Sequence, residues 1–360
     1  MERRSSRKGS DIPLRHGCRF SGGISRRQLL AALAGLPLAE AVAAGRLGRA
    51  LRAASREEQH LLAHLDQAHR SKPGVVRSGR GTTIGQGLDQ LKRRVPAGRI
   101  GKLKVSRLIL GGNPIGGWAH ARDLIYASAL MQAYHTREKV FETLRLAEAC
   151  GINTLLTNPV LCDLIADYWK HGGGKIQFIS DCGGNWRQLE ENIKKSIDTG
   201  ACACYFQEYP TWQLAKHRGV DEVVRLMELV RRNGLPVGLG AHFLRTVRTC
   251  VEKGLRPDFW MKTLHPTDYW SAQPRQEHDN IWCRKPEETI AYMKDRGEPW
   301  IAFKTLAAGA IQPKVGFKYA FEGGADFICV GMFDFQIVED ANIAVSVLGG
   351  ELKRARKWCG

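Results

Sequence analysis

Short apolar runs and longer amphipathic stretches alternate along the chain from residue 107 onward. Each apolar run spans six to eight residues and is almost continuously hydrophobic, which is typical of parallel strands buried on both faces. The eight predicted strands are Arg107–Gly112, Ile152–Thr157, Ile176–Cys182, Ala203–Glu208, Leu235–His242, Asp258–His265, Pro299–Leu306 and Asp326–Met332.

An amphipathic stretch with helical periodicity follows each predicted strand. The first, Thr136–Gly151, has a threonine at its start and a glycine at its end, as helix caps require. The others are 162–171, 187–199, Val220–Gly234, Leu244–Gly254, Lys285–Gly297, 313–323 and Phe335–Gly349. Eight such units in about 245 residues predict an α/β fold, a (β/α)8 TIM barrel over residues 99–350. An open doubly wound sheet is the alternative, but no G-x-G-x-x-G follows the first strand.

The net charge of +18 is concentrated ahead of the predicted barrel. Residues 1–107 hold 23 Lys and Arg against 7 Asp and Glu, whereas residues 108–360 hold 31 against 29. Ser25-Arg26-Arg27 precedes a short apolar run, Leu29–Ala44, and together they resemble a twin-arginine export signal. We therefore predict a signal over 1–44, recognised by the twin-arginine export machinery, and a periplasmic or extracytoplasmic location. A buried N-terminal helix is the alternative.

The remaining basic residues are predicted to lie in a tether and a tail. Residues 45–98 combine a helical stretch with a Gly- and Ser-rich linker, and residues 351–360 form a short basic tail. No aromatic residue interleaves with the basic residues of the tether, so we predict no nucleic-acid partner. The apolar run is too short and interrupted for a stable transmembrane span. No C-x-x-C pair occurs among the ten cysteines, which excludes a zinc ribbon.

Several segments resemble the aldo/keto reductases. Arg99–Gly117 is similar to that family's N-terminal hairpin and first strand, and later segments are similar to its first helix, seventh strand and last units. The family uses an Asp–Tyr–Lys–His tetrad and NADP(H), so the resemblance implies a carbonyl oxidoreductase. Here the tetrad is degenerate. Its Asp falls at Leu156 beside Thr157, its Lys near Asp181 or Cys182, and its His near Gln207 or Glu208; Tyr168 is only a distant candidate for the Tyr. Among the cofactor positions, Gly331, Gln336 and Asn342 resemble the family's site.

Chemistry in a TIM barrel lies at the carboxyl ends of the strands. Five residues at these ends are the predicted catalytic residues, Lys304 and His265 as polarising or proton-transfer groups and Asp181 and Glu208 as bases, with His242 beside them. Asp181, Glu208, His242 and His265 end consecutive strands, so they form a plausible acid/base set or, alternatively, a divalent-metal site. Lys304 could instead form a buried ion pair.

Two long loops at the same end contain aromatic and amide residues, which suit a carbohydrate or other polyol. They are Asn113–His135 and His265–Cys283. We therefore predict an exported aldo/keto reductase-like enzyme that acts on a small carbonyl- or hydroxyl-bearing substrate, with NADP(H) as the cofactor that the resemblance implies. The alternatives are a metal-dependent lyase, isomerase or hydrolase, and a barrel that binds a ligand without catalysis.

Overall fold

The computed structural model describes residues 87–120, 124–269, 272 and 280–360. The predicted export signal and most of the predicted tether lie outside the described residues. Within them, no helix is long and apolar enough to cross a membrane.

Eight parallel strands close into a barrel, which confirms the predicted TIM-barrel fold. All eight predicted strands are present, in sequential order around the barrel, and the last strand pairs with the first through Gly331 and Gly111. A two-stranded antiparallel hairpin, β1 (Ala97–Ile100) and β2 (Leu103–Ser106), precedes them. The barrel strands are β3 Leu108–Gly111, β4 Thr154–Thr157, β5 Gln177–Ser180, β6 Ala203–Phe206, β7 Val237–Ala241, β8 Phe259–Thr263, β9 Trp300–Phe303 and β10 Phe327–Gly331.

Helices surround the barrel and connect its strands. Thr136 caps the first long helix by accepting a hydrogen bond from the Lys139 backbone N–H, as its sequence predicted. The helices are α1 Asn113–Gly116, α2 Ala127–Tyr134, α3 Arg137–Ala149, α4 Cys162–Asp167, α5 Leu189–Thr199, α6 Glu208–Arg218, α7 Val220–Arg232, α8 Leu244–Glu252, α9 Pro286–Lys294, α10 Pro313–Glu322 and α11 Asp334–Leu348. Short 3-10 turns span Leu88–Gln90, Pro159–Leu161 and Trp186–Gln188, and a π-turn spans Tyr168–Gly172.

The side chains of each strand alternate between two separate apolar layers. Outward residues such as Phe178 and Trp300 pack against the helices in one large cluster. Inward residues such as Ile109, Met261 and Phe327 fill the barrel. Because successive side chains of a strand point to opposite faces, this alternation decides which residue reaches the open end of the barrel.

The amino-terminal end of the barrel is closed by the hairpin and by the last residues of the chain. Asp326, just before β10, is fully buried and pairs with Arg356 at 2.5 Å and with Arg354 at 3.6 Å. Trp358 lies between the Arg107 and Arg354 guanidinium groups, at 4.1 and 3.4 Å from their central carbons. Residues 351–360, predicted as a basic tail, thus pack against the barrel.

Most of the observed strands are shorter than the predicted ones, and two of the differences at the carboxyl end concern predicted catalytic residues. Glu208 begins α6, a helix in a segment predicted to be a connection, and Lys304 follows β9 in a turn with φ of +61°. β9 ends where its pairing with β8 ends. The last pair is Phe303 with Thr263, and Lys304 lies after it.

Candidate active site

A cavity of about 620 Å³ opens at the carboxyl ends of the barrel strands. Its walls come from residues in or directly after the eight strands and from the loops that follow β3 and β8. Four of the five predicted catalytic residues line it: Asp181, Glu208, His242 and Lys304. This is the end of the fold at which TIM-barrel chemistry is expected.

Asp181 is the acidic centre of the cavity, and three N–H groups hold its carboxyl. Its Oδ1 accepts hydrogen bonds from Asn158 Nδ2 at 3.1 Å and from the Gly183 backbone at 2.8 Å, and its Oδ2 accepts from Gln207 Nε2 at 2.8 Å. Burial nevertheless raises the pKa of Asp181 to about 6, because desolvation outweighs the three hydrogen bonds. A carboxyl group with this pKa exchanges its proton near neutral pH.

Tyr205 lies beside Asp181 and was missed from the sequence. It is 5% exposed, and burial followed by the charge of Asp181 raises its pKa well above the usual value. The alternation of β6 would have indicated it, since Ala203, Tyr205 and Gln207 share the inward face. Tyr168, the sequence candidate for the family tyrosine, is buried among helices, where its hydroxyl donates to Glu148.

Lys304 supplies a positive charge to the same cavity. Its Nζ lies 4.2 Å from the centroid of the Trp282 ring, and the edge of His120 meets that ring at 5.0 Å between centroids. Burial raises the pKa of the Cys329 thiol to about 12, while Lys304 lowers it and Asp181 raises it. Both charges therefore act at Cys329, an inward residue of β10.

The backbone is strained where two of these residues leave their strands. Lys304 has φ of +61° and Cys182, directly after Asp181, has φ of +47°. Such conformations cost about 1 kcal/mol or more for residues with a side chain, and they cluster at functional sites. In the turn after Lys304, Ala307 and Ala308 also have positive φ.

Glu208 and His242 form a second polar group on the cavity wall. His242 Nδ1 lies 3.5 Å from Glu208 Oε2, and the same oxygen accepts the His242 backbone N–H at 2.7 Å. The Thr246 hydroxyl also donates to Glu208. Burial raises the pKa of Glu208, but hydrogen bonds from His242 and Thr246 outweigh it and lower the pKa overall. Glu208 is thus an ionised partner for His242.

His265 does not line the cavity, unlike the other predicted catalytic residues. It is fully buried; its Nε2 accepts the backbone N–H groups of Trp282 and Cys283 at 3.1 and 2.9 Å, and its Nδ1 bonds Pro266 O at 2.8 Å. All its ring nitrogens are occupied by backbone groups. His265 therefore ties together the two ends of the loop that carries Trp282.

Lys262 also serves the framework rather than the cavity. Its Nζ donates to the backbone oxygen of His242 and to the oxygens of Thr263, each within 2.8 Å. Burial lowers its pKa to about 8.

The residues that resemble a nicotinamide-cofactor site do not converge. Gly331 lines the cavity, but Gln336 Oε1 accepts the Phe333 backbone N–H at 3.0 Å as a helix cap. Asn342 bonds the backbone of Lys92 and Gln90 at 2.7 and 2.9 Å, outside the cavity. The first turn of α11 presents the acidic Asp334 and no basic residue. This segment does not fit the 2′-phosphate of NADP(H).

The alternative metal site is not assembled by the residues predicted for it. Glu208 and His242 are paired, but Asp181 is held by amides and His265 by backbone groups. Across the described ranges, no three His, Cys, Asp or Glu side chains are grouped so that they could hold a metal ion.

Comparisons with known proteins agree with the fold. No model of a known protein family matches the sequence, and no curated protein matches it. A crystal structure from Pseudomonas aeruginosa, of a protein provisionally assigned as an aldo-keto reductase, is 16% identical; the match covers 72% of this chain and 99% of that one, with a TM-score of 0.51. A second structure of such a protein from the same organism is 17% identical over 74% and 99% of the chains, with a TM-score of 0.49. At this identity the first likeness shows the shared fold, and the chain is a TIM-barrel protein.

Proposed function

We propose that this barrel is an enzyme that moves a proton on a small carbonyl- or hydroxyl-bearing substrate. The observation that carries the proposal is the Asp181 carboxyl, which amide groups orient in the cavity and whose pKa burial raises to about 6. Perturbed carboxyl groups in clefts are typical of general bases and acids. Lys304 supplies a cation to the same cavity.

In the proposed reaction, the Asp181 carboxylate takes a proton from a carbon next to a carbonyl group. The electron pair of the broken C–H bond moves to the carbonyl oxygen, where the Lys304 ammonium stabilises the developing negative charge. The protonated Asp181 then returns the proton to the substrate, so no other reactant is consumed. Glu208 keeps His242 oriented at the wall of the cavity, where it can bind a substrate hydroxyl.

Two hydroxyl groups support a polar substrate, such as a carbohydrate. Thr157 and Thr305 both line the cavity. Their Oγ1 atoms are buried, and neither atom has a hydrogen-bond partner. Buried polar groups are costly to leave unpaired, so these hydroxyls favour a ligand that carries donors and acceptors. The ring of Trp282 offers the apolar face against which a sugar ring packs.

Proton exchange in D₂O tests the proposal, because the exchange is visible whatever product forms. The purified protein is incubated with a panel of aldoses, ketoses and 2-hydroxy acids, and loss of C–H signal is followed by NMR. We expect exchange next to the carbonyl of at least one compound, and its loss in Asp181→Asn. The matched control is Asp163→Asn, because Asp163 is an exposed carboxylate on α4. Exchange that persists unchanged in Asp181→Asn refutes the proposed role.

A barrel that binds its ligand without catalysis is the second candidate, because a cavity of about 620 Å³ can hold a small ligand whether or not a reaction follows. Calorimetric titration with the same compounds separates the two. Binding without isotope exchange or turnover favours the binding protein.

We further propose that the chain is exported by the twin-arginine route. Arg26 and Arg27 before the apolar run Leu29–Ala44 support this. Cell fractionation of the full chain and of the Arg26→Lys, Arg27→Lys double variant tests it, and the double variant is expected to stay in the cytoplasm. Equal export of both proteins contradicts the proposal.

A further inference from the structure

The helix α6 beside the cavity exposes aromatic residues to solvent. Its buried side consists of Pro210, Thr211 and Leu214, so the opposite side faces outward. Tyr209 and Trp212 on that side are 63% and 53% exposed. Lys216 continues the same stripe, since residues three and four apart share one face of a helix. A helix that packs on the protein core ordinarily has polar residues here.

Neighbouring loops extend this surface, and cations lie beside most of its aromatic rings. Lys216 Nζ lies 5.2 Å from the Trp212 ring centroid, and the Arg245 guanidinium carbon lies 4.9 Å from that of Phe243. The Trp186 ring stacks on the His217 ring of α6, with 5.2 Å between the ring centroids. The guanidinium carbon of Arg187 lies 5.1 Å from the Trp186 ring centroid. We call the surface formed by Trp186, Tyr209, Trp212 and Phe243, with these cations, the aromatic–cationic patch.

The patch carries a single sign of charge. Glu208 is the one acidic residue of α6, and its side chain lines the cavity and accepts hydrogen bonds from His242 and Thr246. The segments 185–188 and 243–246 contain no acidic residue. At one edge Arg187 borders the acidic residues Glu190 and Glu191, so the side of the patch formed by α6 and residues 243–246 is the part that attracts anions.

A second exposed apolar surface lies across the cavity mouth. The segment after β3 exposes Ile125 to 96%, with Leu124, Tyr126 and Leu130 beside it. In the closed barrel the residues of the patch follow β5, β6 and β7, which are two to four strands from β3, so the two surfaces lie on different sides of the same end. A partner that covers both must be broad and flat.

We propose that this end of the barrel docks on the surface of an anionic lipid bilayer, with the cavity mouth toward the lipid. Tryptophan and tyrosine are the residues that favour the interface between headgroups and acyl chains, and lysine and arginine next to them bind anionic headgroups. The rings stand on a helix face and on loops, as insertion between headgroups requires. The net charge of +16 in residues 1–107 adds long-range attraction to the same surface.

Co-sedimentation of the full chain with lipid vesicles tests the proposal. We expect binding to phosphatidylglycerol-containing vesicles, weak binding to pure phosphatidylcholine, and a decrease with salt. Each basic residue near a membrane contributes about 1 kcal/mol, so Lys216→Glu with Arg245→Glu should lower the partition coefficient at least about tenfold. Trp212→Ala with Phe243→Ala should lower it severalfold without a change in charge.

Two controls separate the patch from the rest of the chain. Lys253→Glu reverses an exposed charge at the end of α8, and Val224→Ala trims an exposed residue of α7; both should bind vesicles like the wild type. Equal vesicle binding by the patch variants and the wild type would show that the basic N-terminal residues alone bind lipid, and the proposal would be wrong. It would also be wrong if light scattering showed a dimer that the patch variants dissociate, or if the patch bound a soluble polyanion such as heparin in preference to vesicles.

Discussion

Gln207 and Asp181 join neighbouring strand ends of the barrel through a hydrogen bond of 2.8 Å from Nε2 to Oδ2. Asn158, after the preceding strand, donates to the other oxygen of the same carboxyl. A chain of three polar side chains thus crosses three consecutive strand ends, with the acid in the middle.

The proposed proton transfer should follow the ionisation of Asp181. The carboxylate form is the base, so the rate of substrate proton exchange is expected to rise between pH 5 and pH 7 with a midpoint near the pKa of about 6. NMR exchange rates measured across this range give the midpoint. A rate that is flat from pH 5 to 7, in a protein that remains folded, contradicts the assignment of Asp181 as the base.

The same ionisation should make folding stability depend on pH. The folded pKa of about 6 lies above the ordinary aspartate pKa of 3.8, so the free energy of unfolding falls as pH rises through this window, by roughly 3 kcal/mol. Asp181→Asn should remove this fall. Urea unfolding at pH 4 and pH 7 measures the difference.

Asp340 provides the matched control for that measurement. It is buried in α11, desolvation raises its pKa to about 7, and it does not line the cavity. Asp340→Asn should therefore remove the contribution of Asp340 to the pH dependence of the free energy of unfolding. It should leave substrate proton exchange unchanged. Loss of exchange in both variants would indicate a general loss of structure.

The sequence predicted the barrel well because the pattern that encodes it is local. Each strand is a continuous apolar run and each helix has its own periodicity, so all eight units could be located. The same alternation could have identified Tyr205 as an inward residue of the barrel. Strand ends are harder to predict, because a shift of one residue turns a side chain to the opposite face.

Other features depend on contacts between distant residues, which the sequence alone does not show. His265 and Lys304 both appear as polar residues at the end of an apolar run. The His265 side chain accepts a hydrogen bond from the Trp282 backbone. Lys304 has a left-handed backbone conformation, and its side chain lines the cavity. The burial of Arg356 depends on Asp326, thirty residues earlier. Charged residues usually lie at the surface, and Arg356 is an exception in the chain's last residues.

Lys304→Gly should separate stability from function. Glycine adopts the φ of +61° without strain, which recovers about 1 kcal/mol and offsets the lost contact with Trp282. We expect a free energy of unfolding within about 1 kcal/mol of the wild type, together with loss of substrate proton exchange. Lys304→Met, which removes the charge but keeps the strain, should be less stable and equally inactive. Full exchange activity in both variants would eliminate Lys304 from the mechanism.

Arg356→Ala should strongly destabilise the barrel. The guanidinium is buried, pairs with Asp326 at 2.5 Å and donates to four backbone oxygens, so its removal takes the nearer cation from a buried carboxylate and the donor from four backbone oxygens. Losses of roughly 3 to 5 kcal/mol are typical of such changes. Urea unfolding measures the effect, and Lys357→Ala is the control because Lys357 is exposed. Equal stability of the two variants would mean that the tail does not close the barrel in solution.

His265→Ala should loosen the loop that presents Trp282. It removes the acceptor of the Trp282 and Cys283 backbone N–H groups, and two unpaired buried donors cost roughly 2 to 4 kcal/mol. Trp282 fluorescence should change as its contact with Lys304 is lost, and Trp282→Phe identifies that signal. His265→Gln retains an acceptor, so it should recover part of the lost stability and part of the Trp282 fluorescence change. His171→Ala changes an exposed histidine and should alter neither the stability nor the fluorescence.

The same hydrogen bonds require a neutral imidazole. Burial lowers the pKa of His265 below its usual 6.5, so this contribution to stability is present above that value and is lost as pH falls below it. Lys262, whose charge also lowers this pKa, is the nearby cation, and Tyr269 and Cys283 are the other titratable neighbours. The difference in the free energy of unfolding between wild type and His265→Ala should therefore shrink from pH 7 to pH 5. A difference that is constant across this range would show that the imidazole packs there without accepting the two hydrogen bonds.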